Sequence, residues 1–73
     1  MDKLNIKNQT KAQISKMLSN MHAVDIAKEL IKLAEDEKII VIELIPLDKV
    51  DDVFIELDSE DAIEFFNLLD LVR

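Results

Sequence analysis

The sequence predicts an all-α fold of about five short helices, and two features of its 73 residues support this. Glycine is absent, although small sheet proteins normally use it in their tight turns. After Pro46, apolar residues fall at the i, i+3, i+4, i+7 spacing of one helix face, at Val50, Val53, Phe54 and Leu57. Pro46 suits the start of that helix, because the first turn has no use for its missing N–H.

Apolar residues also follow a twelve-residue repeat. Divided from Thr10 in blocks of twelve, the chain gives five segments: 10–21, 22–33, 34–45, 46–57 and 58–69. The ninth position of each block holds a large apolar residue, in order Leu18, Leu30, Ile42, Phe54 and Phe66. Two blocks make a 24-residue unit, so residues 22–45 can be laid over 46–69. Such a repeat is typical of stacked helices that bury their faces only against neighbours.

Residues at the block starts favour helix caps. Thr10 and Gln13 form a capping box, and Asp58 is placed to cap the last helix. The fourth block position is acidic in three blocks, near the positive end of a helix, whereas Lys49 breaks this pattern. The acids are Asp25, Glu37 and Asp61. We therefore expect helices near 10–20, 23–33, 36–45, 47–57 and 59–70, after a flexible lead-in over residues 1–9.

Residues 37–45 permit a second interpretation. This β-branched run has the composition of a buried strand, and residues 52–57 would be its partner in a small α/β fold. We favour a helix, because the connection around Pro46 contains no two-residue hairpin signal and the run keeps the length of its neighbours. A helix that is apolar on nearly all faces suits the centre of a bundle.

Composition excludes several functions. The net charge is −7, and it is uneven: residues 1–20 hold four lysines and one acid, whereas residues 21–73 hold five basic and 15 acidic residues. This charge argues against binding nucleic acid. There is no cysteine, and His22 is the single histidine, so we expect no zinc site. Neither a Cys–His pair nor a glycine-rich phosphate loop is present, so we expect no enzyme. The apolar runs are also too short to span a bilayer.

Two stretches resemble a known family. Residues 21–27, Met-His-Ala-Val-Asp-Ile-Ala, resemble the L-H-P-A-D-I-A opening of the N-terminal cytosolic domain of MgtE-type magnesium transporters. Residues 44–58, Leu-Ile-Pro-Leu-Asp-Lys-Val-Asp-Asp-Val-Phe-Ile-Glu-Leu-Asp, are similar to that domain's L-L-P-P-E-K-A-A-E-V-F-E-E-L-D segment. The match runs from about His22 to Asp70 without gaps and keeps the twelve-residue repeat. Ala23 stands where the family usually has proline.

The resemblance implies a right-handed superhelix (solenoid) for residues 10–73, in the cytosol. In that family the domain precedes a pair of CBS domains and a membrane pore. It binds Mg²⁺ through acidic side chains at the CBS interface and helps to close the pore. Asp52 falls where the family has a glutamate, so Asp52 and its neighbour Asp51 are our metal candidates. The family has a further pair of helices beyond the position of Arg73, so we expect a domain truncated at its C-terminal end.

Other interpretations stay open. Asp51 and Asp52 also suit the solvated face of a helix, and capping accounts for the acidic group at Asp58, Glu60 and Asp61. The second hypothesis is a helical protein–protein interaction module without ion sensing, whose acidic surface favours basic partners. We also expect a homodimer or oligomer through an apolar end formed by Phe65, Phe66, Leu69 and Leu71, with Leu71 and Val72 beginning a sixth helix.

Overall fold

The computed structural model describes residues 6–73, which form five α-helices and no strand. The helices are Lys11–Asn20 (α1), Ala23–Leu30 (α2), Glu35–Leu44 (α3), Leu47–Glu56 (α4) and Ser59–Val72 (α5). The predicted all-α class is therefore confirmed for the described residues. The predicted lead-in over residues 1–9 lies partly outside them, and Ile6 within it is buried in the core.

Local caps fix where several helices begin. The Thr10 hydroxyl accepts a hydrogen bond from the Gln13 N–H at 3.1 Å, and the Thr10 N–H donates to the Gln13 side chain at 2.9 Å. These two bonds confirm the capping box. At α5, the Asp58 carboxylate accepts from the Asp61 N–H at 3.1 Å, as its cap position predicts. Pro46 is the residue immediately before α4, where its missing N–H costs nothing.

The β-branched run forms α3, the helix at the centre of the fold. Val41, Ile42 and Ile45 are fully buried, and α3 packs against both α1 and α5. Apolar residues on several faces of α3 are covered because this helix has neighbours on two sides. The alternative in which residues 37–45 and 52–57 pair as strands is wrong.

Each helix packs mainly against the second helix along the chain. The pairs are α1 with α3, α3 with α5, and α2 with α4, and a smaller contact joins α4 to α5. The odd-numbered and even-numbered helices thus form two layers. The radius of gyration is 10.9 Å, close to the value of about 11 Å for a globular domain of this length. Five short helices therefore make a compact body rather than an extended array.

Two predictions for the end of the chain are wrong. Leu71 and Val72 lie in the last turn of α5 and do not begin a further helix. Phe65 was expected at an exposed apolar end, but it is only 2% exposed, and its ring centroid lies 6.4 Å from that of Phe54. Successive residues on a helix point about 100° apart, so Phe65 and Phe66 cannot both face the core. Phe66 is the exposed member of the pair.

Candidate interaction surface

Lys49 caps the C-terminal end of α1 from a distant position in the chain. Its ammonium group, in the first turn of α4, donates to three carbonyl oxygens: Leu18 at 3.0 Å, Ser19 at 2.7 Å and Met21 at 2.6 Å. The last carbonyls of a helix have no partner within the helix and carry partial negative charge. A cation at this end therefore satisfies them and ties α4 to α1.

The same contact recurs 24 residues further along the chain. The Arg73 guanidinium donates to the carbonyls of Ile42 at 3.0 Å and Ile45 at 2.9 Å, at the end of α3. In both contacts the cation lies 31 residues after the first carbonyl and 28 after the last. The 24-residue unit seen in the sequence is thus repeated in a tertiary contact. In the sequence, the one indication of this cation–carbonyl contact is Lys49, a basic residue at a block position that is acidic in three other blocks.

An apolar cleft lies between α4 and α5. It has a volume of about 250 Å³. Every lining residue except Asp51 is apolar; the lining residues are Val50, Asp51, Phe54, Phe65, Phe66 and Leu69. We call this the α4–α5 cleft. It contains most of the apolar end that the sequence predicted, with Phe65 as its floor and Phe66 at its surface.

Two aromatic side chains in the cleft depart from the burial pattern of the repeat. At the ninth block position Leu18, Leu30 and Ile42 are buried, whereas Phe54 is 42% and Phe66 58% exposed. The three buried residues belong to α1, α2 and α3, each of which packs against the helix two elements later. Between Ile6 and Arg73 no helix occupies that position for α4 or α5. The cleft is therefore the uncovered face of the stack.

The cleft lies in the acidic half of the molecule. Residues 34–73 hold three basic and 13 acidic residues. All three cations are already engaged: Lys38 bonds Glu64 at 2.6 Å, and Lys49 and Arg73 bond carbonyls. Asp51 lines the cleft, and the exposed Asp70 lies one turn from Phe66. The electrostatic field at this face therefore favours a positively charged partner.

The two metal candidates do not converge on one point. Asp51 and Asp52 are both exposed, and successive residues on a helix do not face each other. In the described part of the chain no group of three or more acidic, histidine or cysteine side chains has metal-binding geometry. Mg²⁺ is often held by one or two carboxylates and several waters. Asp51, at the cleft, fits as one ligand of a shared site, whereas the pair does not fit as a complete site.

Asp61 lies twelve residues after Lys49 and twelve before Arg73, so all three residues share the fourth block position. At Asp61 an acid stands in place of the cation. It lines a cleft together with Leu30 and Ile31, at the C-terminal end of α2. Burial raises the pKa of Asp61, and the negative charge of Asp58 and a hydrogen bond to that side chain raise it further. Lys38 acts in the opposite direction and lowers the pKa of Asp61. The end of α2 thus lacks the cation cap that the ends of α1 and α3 have.

Comparisons with models of known families, with characterised proteins and with solved structures find no match to this chain. Over residues 6–73, no helix has the length and apolar character required to cross a membrane.

Proposed function

We propose that this chain is a helical protein–protein interaction module that binds a partner at the α4–α5 cleft. The exposure of Phe54 and Phe66, at a block position that is buried elsewhere in the molecule, carries the proposal. Monomeric proteins seldom expose clustered aromatic side chains, and such clusters commonly mark interaction sites. The module carries out no reaction.

The same proposal includes a superhelical arrangement of the helices. Packing between helices two elements apart and the recurrent cation–carbonyl contact both support a repeated unit of two helices. The right-handed sense comes from the resemblance to the MgtE N-terminal domain. In a superhelix of this kind the end face of the stack is the natural place for a further helical element to pack.

Proximity labelling in cells tests the interaction. The variants are Phe66→Ser, which removes an aromatic ring from the cleft, and Ile55→Ser, which removes an apolar side chain that is 72% exposed but outside the cleft. We expect the wild-type chain and the Ile55→Ser variant to label the same neighbours, and the Phe66→Ser variant to lose at least one of them. Identical labelling by all three chains would contradict the proposed function.

A second candidate function is the regulatory, Mg²⁺-sensing role that the MgtE resemblance implies. The exposure of Asp51 at the cleft favours it, because a CBS domain docked there would lie beside a free carboxylate and complete a Mg²⁺ site. This role places the chain at the cytosolic face of a membrane. We expect CBS domains encoded with this chain to bind it more tightly in millimolar Mg²⁺ than in chelator. Equal binding in the two conditions would contradict ion sensing.

The α4–α5 cleft could also form a homodimer interface, and an experiment can distinguish this from binding of a different chain. Sedimentation velocity over a range of protein concentrations reports self-association directly. If two copies cover each other's clefts, the wild-type chain sediments as a dimer and the Phe66→Ser variant as a monomer. A wild-type monomer at the highest concentration excludes this use and leaves the cleft free for a different chain.

A further inference from the structure

We propose that a cleft at the C-terminal end of α2 binds a primary ammonium group carried on an unbranched alkyl chain. The source of this group is a lysine side chain of another molecule or a free alkylamine. We call the site the α2-end cleft; it lies between α2, the end of α4 and the start of α5. It shares no lining residue with the α4–α5 cleft, so this inference does not depend on the proposed function.

The two equivalent positions in the repeat already hold a cation. Lys49 donates to carbonyls 31 and 28 residues before it, at the end of α1, and Arg73 does the same at the end of α3. The same spacing from Asp61 leads to Leu30 and Leu33, at the end of α2. Neither of these two carbonyls accepts a hydrogen bond from a basic side chain among residues 6–73. The molecule thus shows that its helix ends bind cations, and one such end has none.

The turn after α2 closes in the same way as the turn after α1. The Leu33 N–H donates to the Leu30 carbonyl at 3.1 Å, and the Met21 N–H donates to the Leu18 carbonyl at 3.3 Å. A carbonyl oxygen has a second lone pair, which Lys49 uses at Leu18. The Leu30 carbonyl has the same spare capacity to accept a hydrogen bond.

Every element that forms such a contact is present at α2. Lys49 reaches the end of α1 from the third position of α4, and Asp61 is the third residue of α5. Asp61 lines a narrow recess together with Leu30 and Ile31, so it lies at the end of α2. The cation is therefore missing because residue 61 is an acid, and not because a helix is missing.

The size of the recess favours an ammonium group. Its volume is about 10 Å³, which is room for one group the size of a water molecule. An ammonium head is of this size, whereas a planar guanidinium is larger. Lys38 also lines the recess, but its ammonium bonds Glu64 at 2.6 Å. Among residues 6–73 no basic side chain forms an ion pair with Asp61, so its carboxylate can receive a further cation.

The wider α2-end cleft adjoins the recess and accommodates the alkyl chain. It has a volume of about 250 Å³, and Val24, Ile31 and Leu57 contribute apolar walls. An alkyl chain packs on such walls while its charged end stays with polar groups. Hydrated Mg²⁺ is less suited, because it prefers oxygen ligands and keeps several waters.

The charges around the α2-end cleft favour a cation. Three acids line it, Glu56, Asp58 and Asp61, against one basic residue, Lys28. The proximity of Asp58 and partial burial raise the pKa of Asp61, which is the behaviour of a carboxyl group that lacks a counter-charge. An ammonium group bound beside Asp61 would supply that counter-charge and satisfy the end of α2 together.

Titration of isotopically labelled protein with small amines, followed by NMR, tests the inference. The ligands are n-pentylamine, lysine blocked at its α-amino and carboxyl groups, 1-pentanol as the uncharged analogue, and Mg²⁺. Asp61→Asn removes the charge at the site. Glu60→Gln is the matched control, because Glu60 is an exposed acid of the same helix turn and lines neither the recess nor the cleft. The amide spectrum of each variant reports its folding.

We expect pentylamine to bind at least about tenfold more tightly than pentanol and to shift the amide resonances of Ile31 and Asp61. Its binding should be lost in Asp61→Asn and kept in Glu60→Gln. Blocked lysine that binds as tightly as pentylamine would identify a lysine side chain as the source, and weaker binding would identify a free amine. No binding by either amine, equal binding of pentanol, or binding that Asp61→Asn leaves unchanged would overturn the proposal. Tighter binding of Mg²⁺ than of both amines would make a metal ion the occupant instead.

Asp61→Lys gives an independent measurement. It places an ammonium group at the position from which Lys49 caps α1. We expect this variant to unfold at a higher urea concentration than Asp61→Asn and to bind no pentylamine, because its own side chain fills the site. A lower unfolding midpoint than that of Asp61→Asn, or pentylamine binding as in the wild type, would show that the end of α2 is not a cation site.

Discussion

The Lys38 ammonium lies 2.6 Å from the Glu64 carboxylate and joins the N-terminal half of α3 to α5. Lys38 stands at a block position that is apolar in the other four blocks, and its side chain is only 13% exposed. The bond to Glu64 therefore lets a charged residue occupy a site at the edge of the core.

Substitution of Lys38 should show that the charge is tolerated rather than required. We expect Glu64→Gln to lower the free energy of unfolding by about 1 kcal/mol, because it leaves the largely buried Lys38 ammonium without its counter-charge and water screens only part of the loss. Lys38→Ile, which follows the apolar pattern of the repeat, should be neutral or stabilising. Urea unfolding measures both. A Lys38→Ile variant less stable than Glu64→Gln would show that the ion pair itself holds the helices together.

Lys49→Met should destabilise the fold more than loss of an ordinary surface lysine. Its ammonium makes three hydrogen bonds to the end of α1, so we expect the free energy of unfolding to fall by about 1–2 kcal/mol. The exposed Lys28 serves as the matched control, and Lys28→Met should change stability by less than about 0.5 kcal/mol. Chemical denaturation of both variants gives the comparison. Equal effects would mean that the cap contributes nothing measurable.

The two adjacent phenylalanines of α5 should respond in opposite ways. Phe65 is buried, so Phe65→Ala should cost about 3–5 kcal/mol through lost contacts and a cavity. Phe66 is exposed, so Phe66→Ala should change stability by less than about 1 kcal/mol. Thermal and urea unfolding followed by circular dichroism measure both. Similar losses at the two positions would contradict the orientation of α5.

Asp61 should make stability decline as pH rises. The pKa of Asp61 is raised in the folded chain, so between the ordinary value of 3.8 and the raised value the folded state binds more protons than the unfolded state. The contribution of Asp61 is therefore most favourable below pH 3.8 and is lost as the pH rises through the folded pKa. In the Asp61→Asn variant this pH dependence should be absent. The difference in unfolding free energy between wild type and variant, measured from pH 3 to 7, gives the contribution of Asp61 to the pH dependence of stability. Wild-type stability that instead rises relative to the Asp61→Asn variant over this pH range would mean that the pKa of Asp61 is lowered in the folded chain.

Local sequence rules located the helices well because their signals are local. The capping box at Thr10, the cap at Asp58 and the position of Pro46 each act within one turn, so the expected and observed helix limits differ by only a few residues. The β-branched run at residues 37–45 was the hardest case. There the block length, rather than residue preference, pointed to the helix that the structure contains.

The site was less accessible to sequence reasoning, because it depends on contacts between distant residues. Periodicity identifies an apolar helix face but does not say which neighbour covers it, so Phe65 and Phe66 were both placed at an exposed end. The carbonyls that Lys49 and Arg73 cap lie about 30 residues earlier and belong to the backbone, which leaves no pattern in the side chains. Asp51 was identified as a ligand candidate, but its place beside an apolar cleft became visible only in three dimensions.

The spacing of the two cation–carbonyl contacts limits how such a chain can change length during evolution. Duplicating 24 residues adds a helix pair and keeps Lys49 and Arg73 at the correct spacing from the helix-end carbonyls to which they donate. Duplicating a single dozen would bring an aspartate of the Asp61 kind to a terminus that now holds a lysine or arginine. Viable insertions and deletions should therefore come in helix pairs, with single-helix changes selected against.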